Sequence, residues 1–356
     1  MNKRYYVIAL LVCLILLVSA CKKSGAATGG APRTPFIGGT AGITMNFEKD
    51  SPPPEVTDDS SFAFNAIVRL KNDGEFPVDK DNIKVNLVGF DPADFDKTFD
   101  DLKNAIPEDT LDAKRKDAEG NIVEGTTTFV TFPKKGGTGD FFTPTKFPGN
   151  TEFTFRADAC YFYATQSNTK LCLLKDMINI NDGSLCLPNG GRTTYSSSAP
   201  VQVSNFRQTV VGKNKISFSF DVALSGNVDI FWNKGAGTPN IQTGDFRKPI
   251  SDFDFACPRA PQQRRERENR VAVEITEIPN DPVFQNLKCG GLDNTAKGTV
   301  ILVSGRRTIT CTVELVDNRL DLEKVVGVNL FYHVLDSKET KVLIKHLASE
   351  SSNIVG

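Results

Sequence analysis

Two stacked β-sandwich domains, mostly β with one short helix, are the fold class this 356-residue sequence predicts. Three observations predict it. Apolar residues recur at every second position along most of the chain. Clusters of Gly, Pro, Asn and Asp punctuate those runs. Only one stretch has helical spacing. Charged residues at 24% and apolar residues at 39% are the values of a globular chain, so disorder does not compete.

The N-terminus is read first. Lys3 and Arg4 precede an apolar run from Tyr5 to Ala20, and Leu17-Val18-Ser19-Ala20 leads to Cys21. A basic start, a short apolar run and a small-residue end read as an export signal. With cysteine next, the segment resembles the lipobox of prokaryotic lipoproteins. The resemblance implies cleavage before Cys21 and acylation of its thiol, so that a membrane is the chain's first partner. The alternative is an uncleaved single-span helix, with Lys3, Arg4, Lys22 and Lys23 at its ends. A run of 16 residues is short for that, although tilt and thinning accommodate mismatch. Ordinary secretion is the third possibility.

Residues 22–42 are rich in Gly, Ala, Thr and Pro and read as a flexible tether. The first sandwich is expected over 43–195. Ser51-Pro52-Pro53-Pro54 marks a turn, and Phe62, Phe64, Ala66, Val68 and Leu70 alternate as a strand that ends at Asn72-Asp73-Gly74. Ile83, Val85 and Leu87 form the next. Asp91-Pro92 then opens the expected helix, with Phe95, Phe99, Leu102 and Ile106 at helical spacing and Pro107 as its stop. Residues 108–124 read as an exposed excursion. Strands resume at Phe129–Phe132 and at Phe153–Cys160.

A second sandwich is expected over 196–348, followed by a tail at 349–356. Ile216, Phe218, Phe220, Val222 and Leu224 give its cleanest strand. Residues 233–270 are turn-rich. Strands follow at 271–275, 299–303, 308–313 and 325–334, with 341–347 as a closing edge. Phe162-Tyr163 with a polar step at Thr169-Lys170 matches Phe331-Tyr332 with a polar step at Thr340-Lys341. Each reads as strand, turn, strand, which suggests two related domains.

Residues 66–77, followed by Ile83–Leu87, resemble the start of CARDB-like and related immunoglobulin-type domains on prokaryotic, especially archaeal, cell surfaces. Residues 199–203 with the strand at 216–224 look like a second copy. The resemblance implies two immunoglobulin-like sandwiches. The sequence departs from antibody domains, because Trp232 has no cysteine close on either side.

Six cysteines follow Cys21, an even number that reads as up to three disulfides in an exported chain. Fifteen pairings are open. Cys289–Cys311 is favoured because both lie in strands of one short stretch, Cys172–Cys186 would staple a loop, and Cys160–Cys257 remains. Two histidines, His333 and His346, and no Cys-x-x-Cys give no zinc site.

The chemistry-bearing patterns are sparse. Asp94, Asp96, Asp100 and Asp101 form an acidic patch at the helix start. As a solvated face it complements the helix dipole. As a calcium site, Asp94 and Asp96 would need Asp79 and Asp81 as well, and neither stretch has the EF-hand pattern. Arg264-Arg265-Glu266-Arg267-Glu268-Asn269-Arg270 reads as a solvated loop or frayed helix, or as a contact for anionic polymers. His333 has no serine or cysteine motif beside it, and no G-x-S-x-G, Walker A or H-E-x-x-H occurs. A net charge of −1 argues against nucleic acid as a partner. No catalytic residue, metal or cofactor is assigned.

The expected function is therefore an extracytoplasmic, membrane-anchored protein with a structural, adhesive or envelope-interaction role. Its partner would be another surface protein or an envelope polymer. A ligand-capture lipoprotein and an envelope hydrolase built from scattered carboxylates are the alternatives.

Overall fold

The computed structural model describes residues 34–59, 62–137, 139–180, 183–235 and 257–347. The export signal, Cys21, residues 22–33 of the tether and the tail at 349–356 lie outside the described residues. Strands form where the sequence alternates. Those of the first half are β1 (Ile43–Phe47), β2 (Glu55–Thr57), β3 (Ala66–Asn72), β4 (Ile83–Val88), β5 (Arg115–Lys116), β6 (Ile122–Val123), β7 (Thr127–Phe132) and β8 (Thr151–Leu173). The second half holds β9 (Gly190–Gly191), β10 (Thr194–Ser196), β11 (Val201–Gly212), β12 (Lys215–Leu224) and β13 (Asp229–Phe231). It continues with β14 (Arg270–Thr276), β15 (Phe284–Gly290), β16 (Lys297–Ile301), β17 (Arg306–Leu315) and β18 (Leu322–Lys345). The α-helices among the described residues are α1 (Phe99–Leu102) and α2 (Pro261–Arg267).

Two of these strands organise the rest. β8 has 23 residues and β18 has 24. They pair antiparallel from Leu322 opposite Leu173 to Ile344 opposite Thr151, without a register shift. The two Phe-Tyr repeats meet on this ladder, with Tyr163 directly opposite Tyr332. The polar steps at Thr169-Lys170 and Thr340-Lys341, expected as turns, lie inside the strands. Asn168 and Asp336-Ser337 could have served turns, but the ladder takes both stretches in, with Gly327 opposite Asn168 and Asp336 opposite Ala159, and β-branched Thr favours extended backbone. For the same reason the strands expected at 325–334 and 341–347 are one.

Two facing sheets cover one side of the ladder in succession. At one end, β4 pairs with β8 and β2 runs parallel to the end of β18, while the sheet β1-β3-β7 packs opposite. At the other end, β10, β14 and β16 widen the long sheet, and β15-β17-β12-β11-β9 packs opposite. Each end is thus a β-sandwich lobe. The first has a phenylalanine core, in which Phe64, Phe90, Phe95, Phe142 and Phe155 touch at centroid distances of 4.1–6.1 Å. In the second, Phe206 stacks on Phe218 and Phe220 at 5.4 and 5.6 Å. The sandwiches expected over 43–195 and 196–348 share the ladder, and the chain returns to the first lobe through the end of β18. From Phe36 onward the chain forms one compact unit.

The waist between the lobes is tied by polar groups. Tyr163 Oη donates to Asn72 Oδ1 at 3.3 Å and accepts from Phe76 N at 3.4 Å. Glu75 accepts from the backbone N–H groups of Ile37, Gly38 and Ser198 at 2.7–2.8 Å. Residues 36–42, expected as part of the tether, are therefore held against the waist, because a carboxylate satisfies their backbone donors. Gly74 is required there: a Cβ would lie 2.0 Å from Tyr163 Oη and 2.6 Å from Ala41 O.

The helix expected over 92–106 is two separate turns. Asp91 caps a 3-10 turn at Pro92–Phe95 by accepting from Ala93 N. Asp96 then adopts φ 55°, which ends it. Thr98 restarts the chain, with its N–H and Oγ1 both donating to Asp101 at 2.8 and 2.7 Å, and α1 follows. Local capping outweighs the apolar period, so Phe95 and Leu102 are buried while Phe99 and Ile106 face outward.

Asp58 closes the free end of the first lobe. It is fully buried and accepts from Leu347 N, His346 Nδ1 and Phe147 N at 2.7–3.0 Å. These bonds hold its carboxyl well below the usual range, the Leu347 N–H most strongly, then His346, then Phe147 N. A depressed folded pKa contributes stability that is present above the unfolded value and lost as pH falls through the folded one. Acid titration of unfolding should therefore show Asp58→Asn less stable than wild type at pH 7. The variant should also lose less stability than wild type below about pH 4. Parallel curves would refute this role.

Candidate recognition end of the second lobe

Where β8 ends and β18 begins, three connections meet: residues 174–189, the β11–β12 turn, and residues 316–321. Cys172–Cys186 closes the first of them. Arg319 is 3% exposed and holds all three together. Its Nε donates to Leu174 O at 2.7 Å, Nη1 to Val316 O at 2.8 Å and Asn214 Oδ1 at 2.9 Å, and Nη2 to Lys213 O at 2.9 Å and Lys175 O at 3.4 Å. Burial lowers the pKa of the guanidinium, and the fields of Asp317, Asp176 and Asp321 act against that. Carbonyls take the place of a paired carboxylate, so the charge serves as a multi-loop donor.

Above it lies a groove of about 660 Å³, lined among others by Lys175, Asp176, Asn179, Lys213, Asp317 and Asp321. Asp176 folds its own loop, while Asp321 and Asp317 reach across to the neighbouring connections. Asp176 accepts from Ile178 N at 2.9 Å, Asn179 N at 3.0 Å and Asn179 Nδ2 at 2.8 Å. The Asn179 N–H, then its side-chain amide, then the Ile178 N–H hold this carboxyl down to about 2. Asp321 accepts from Lys175 N at 2.5 Å, and Asp317 accepts from Asn214 Nδ2. Such an end is suited to recognition by shape and contact, which loops on a rigid β scaffold commonly provide.

The residues singled out from sequence are distributed elsewhere. The disulfides are Cys160–Cys257, Cys172–Cys186 and Cys289–Cys311, the pairs favoured above. Cys21 is outside the described residues. Asp79 caps a 3-10 turn by accepting from Asp81 N, and Asp94 and Asp96 sit in the turn before α1. Among the described residues, no three His, Cys, Asp or Glu side chains come together as a metal cluster, so the calcium arrangement does not form. Of these carboxylates, that of Asp79 is taken up within its own turn by the Asp81 N–H.

Of the charged run, Arg264 pairs with Asp229 and Glu268 and lies over the Phe231 ring at 5.3 Å. His333 is buried, stacked on Trp232 at 5.5 Å and edge-on to Phe162 at 5.6 Å. Burial pushes its pKa down to about 3, with a lesser opposing effect from the Phe231 backbone, so the ring is neutral. His346 serves Asp58. Sequence reasoning missed Arg319, Asp176, Asp317 and Asp321; the available signal was an arginine inside a turn-rich connector between two apolar strands.

No protein-family model matches the chain, and no curated protein matches it. Among solved structures, the secreted serine protease VesC from Vibrio cholerae aligns with 86% of this chain and 52% of its own, at 9% identity and a TM-score of 0.16. The chain thus spans about half the length of that structure, and likeness at this level carries no argument about fold or activity.

Proposed function

We propose that this chain is a membrane-anchored extracytoplasmic lipoprotein with a structural, adhesive or envelope-interaction role and no catalysis. The observation that carries it is the joining of all six cysteines after Cys21 in disulfides, behind an N-terminus that reads as an export signal. Disulfides form and persist in oxidising compartments. Among the described residues no helix is long and apolar enough to cross a membrane, so attachment would fall to Cys21 or to the run before it. Two lobes of facing sheets support the immunoglobulin-type reading, and loops gathered at one end support a contact role. Mass spectrometry of the membrane-extracted protein tests it. A chain beginning at acylated Cys21 is expected. Cys21 without lipid would overturn the lipid anchor, and an unmodified Met1 start would leave the apolar run before Cys21 as the anchor in its place.

A further inference from the structure

We propose that the outer face of the sheet β15-β17-β12-β11-β9 binds an acidic polysaccharide, through Arg207, Lys288 and a double row of hydroxyls between them. The register builds this face. In one row Thr209 lies opposite Ser217, Ser217 opposite Thr312, and Thr312 opposite Lys288. In the next, Arg207 lies opposite Ser219, Ser219 opposite Thr310, and Thr310 opposite Gly290. Residues directly opposite share a face, as do residues two apart along a strand. Phe206, Phe218, Phe220, Ile309, Cys311 and Cys289 alternate with these rows and are buried, so both rows point outward. Thr209 and Thr310 are exposed, and Ser217, Ser219 and Thr312 are half-buried. Ser217 Oγ donates to Cys311 O at 3.0 Å, and its oxygen can still accept. Arg207 and Lys288 occupy opposite corners, their Cα atoms about 16 Å apart by strand spacing and rise. Between them lie only small polar side chains, a flat span long enough for a short run of sugar rings.

Charge selects the occupant. Beyond one row, Lys215 pairs with Glu314 at 3.9 Å, and Asn286 Nδ2 donates to Glu314 at 2.6 Å. Beyond the other, Asp221 accepts from Asn205 Nδ2 at 2.8 Å and from Thr308 and Arg306. The carboxylates that flank the rows are thus matched on the spot, which leaves the exposed Arg207 and Lys288 without an ion pair among the described residues. Arg207 also lines a pocket of about 530 Å³ at the β11 edge, with Arg192, Thr193, Thr194, Ser204 and Asn205, and no carboxylate lines it. Guanidinium and ammonium groups take carboxylate or phosphate oxygens, and hydroxyls exchange hydrogen bonds with the hydroxyls of sugars. A protein partner would seat large aromatic or aliphatic anchors, and the two rows offer none. A polymer that repeats hydroxyls with an acid group matches both the rows and the corners. The inference names the kind of envelope polymer, and rests on the extracytoplasmic reading for where that polymer is met.

The test uses the purified full chain in a nonionic detergent. Thermophoresis measures its binding to polygalacturonate, which carries carboxylates, and to phosphomannan, which carries phosphates. Neutral dextran and polyglutamate are the comparisons. Saturable binding to an acidic glycan is expected, and the tighter of the two tells which acid group the face takes. Dextran and polyglutamate should each bind roughly tenfold more weakly, the first for want of charge and the second for want of sugar hydroxyls. Arg207→Gln with Lys288→Gln should weaken glycan binding roughly tenfold. Thr310→Val with Thr312→Val keeps the branched shape and removes two hydroxyls, and should weaken it about threefold. All four side chains are exposed or half-buried, and urea unfolding checks that each variant keeps its fold. The comparison of polymers on the wild-type chain needs no variant at all. No binding to either acidic glycan would overturn the proposal, as would equal binding to dextran. Equal binding to polyglutamate, or binding untouched by the valine pair, would reduce the face to an ion exchanger and overturn it too. Binding that survives the glutamine pair would place the polymer elsewhere. The mass of Cys21 decides the anchor separately, so failure here and failure of that reading are told apart.

Discussion

Arg319→Ala should lower the unfolding free energy by about 3–5 kcal/mol, because it strands several buried acceptors at once. Leu174 O, Lys213 O and Val316 O all accept from this guanidinium. Asn214 would lose the donor that orients its amide toward Asp317. Arg319→Lys should recover less than half of the loss, since an ammonium cannot place five N–H groups in a fork. Urea unfolding gives the magnitude. Hydrogen exchange locates it, with protection falling first in residues 174–176, 213–214 and 316–321. A variant as stable as wild type would show that the guanidinium is dispensable to the loop end.

Removing the Cys160–Cys257 bridge should have the other large effect. It joins residues 97 apart, and closing a loop of that length lowers the entropy of the unfolded chain by an amount worth about 4–5 kcal/mol. The 14-residue separation of Cys172–Cys186 corresponds to about 3 kcal/mol. Cys160→Ala with Cys257→Ala should therefore lose more stability than Cys172→Ala with Cys186→Ala in non-reducing urea titrations. The reverse order would mean that the unfolded chain already keeps residues 160 and 257 close, so that the bridge removes little of its entropy.

How much of this was legible in the sequence depends on the range of the interaction that decides each feature. Period-two burial is local, and Ile216, Phe218, Phe220 and Val222, chosen by alternation, are all buried. The cysteine pairs were legible only in part: fifteen pairings were open, proximity favoured Cys289–Cys311 and Cys172–Cys186, and Cys160–Cys257, 97 residues apart, was only what remained. The ladder was not. Alternation says which face of β8 is apolar, but not that two different sheets cover that face in turn. A strand crossing from one core to the next therefore reads as two strands with a polar step between them. The helix failed for the opposite reason: Asp96 and the Thr98–Asp101 cap act within four residues and override a spacing that spans fifteen. Arg319 left only the weak signal of an arginine in a turn-rich connector, because such a residue becomes a hub only when the distant carbonyls of Leu174, Lys175 and Lys213 converge on it.

The uninterrupted pairing of β8 with β18 fixes a length. Lobes joined by a linker or a single crossing can swing, and the distance between their tips then fluctuates. Here a bend at the waist would have to break ladder bonds on both strands at once, beside tyrosines whose hydroxyls are already engaged. The two tips are thus held about 75 Å apart, the rise of a 23-residue strand. A protein of this build behaves as a spacer bar: whatever one tip grips, the other is set at a constant gauge from it.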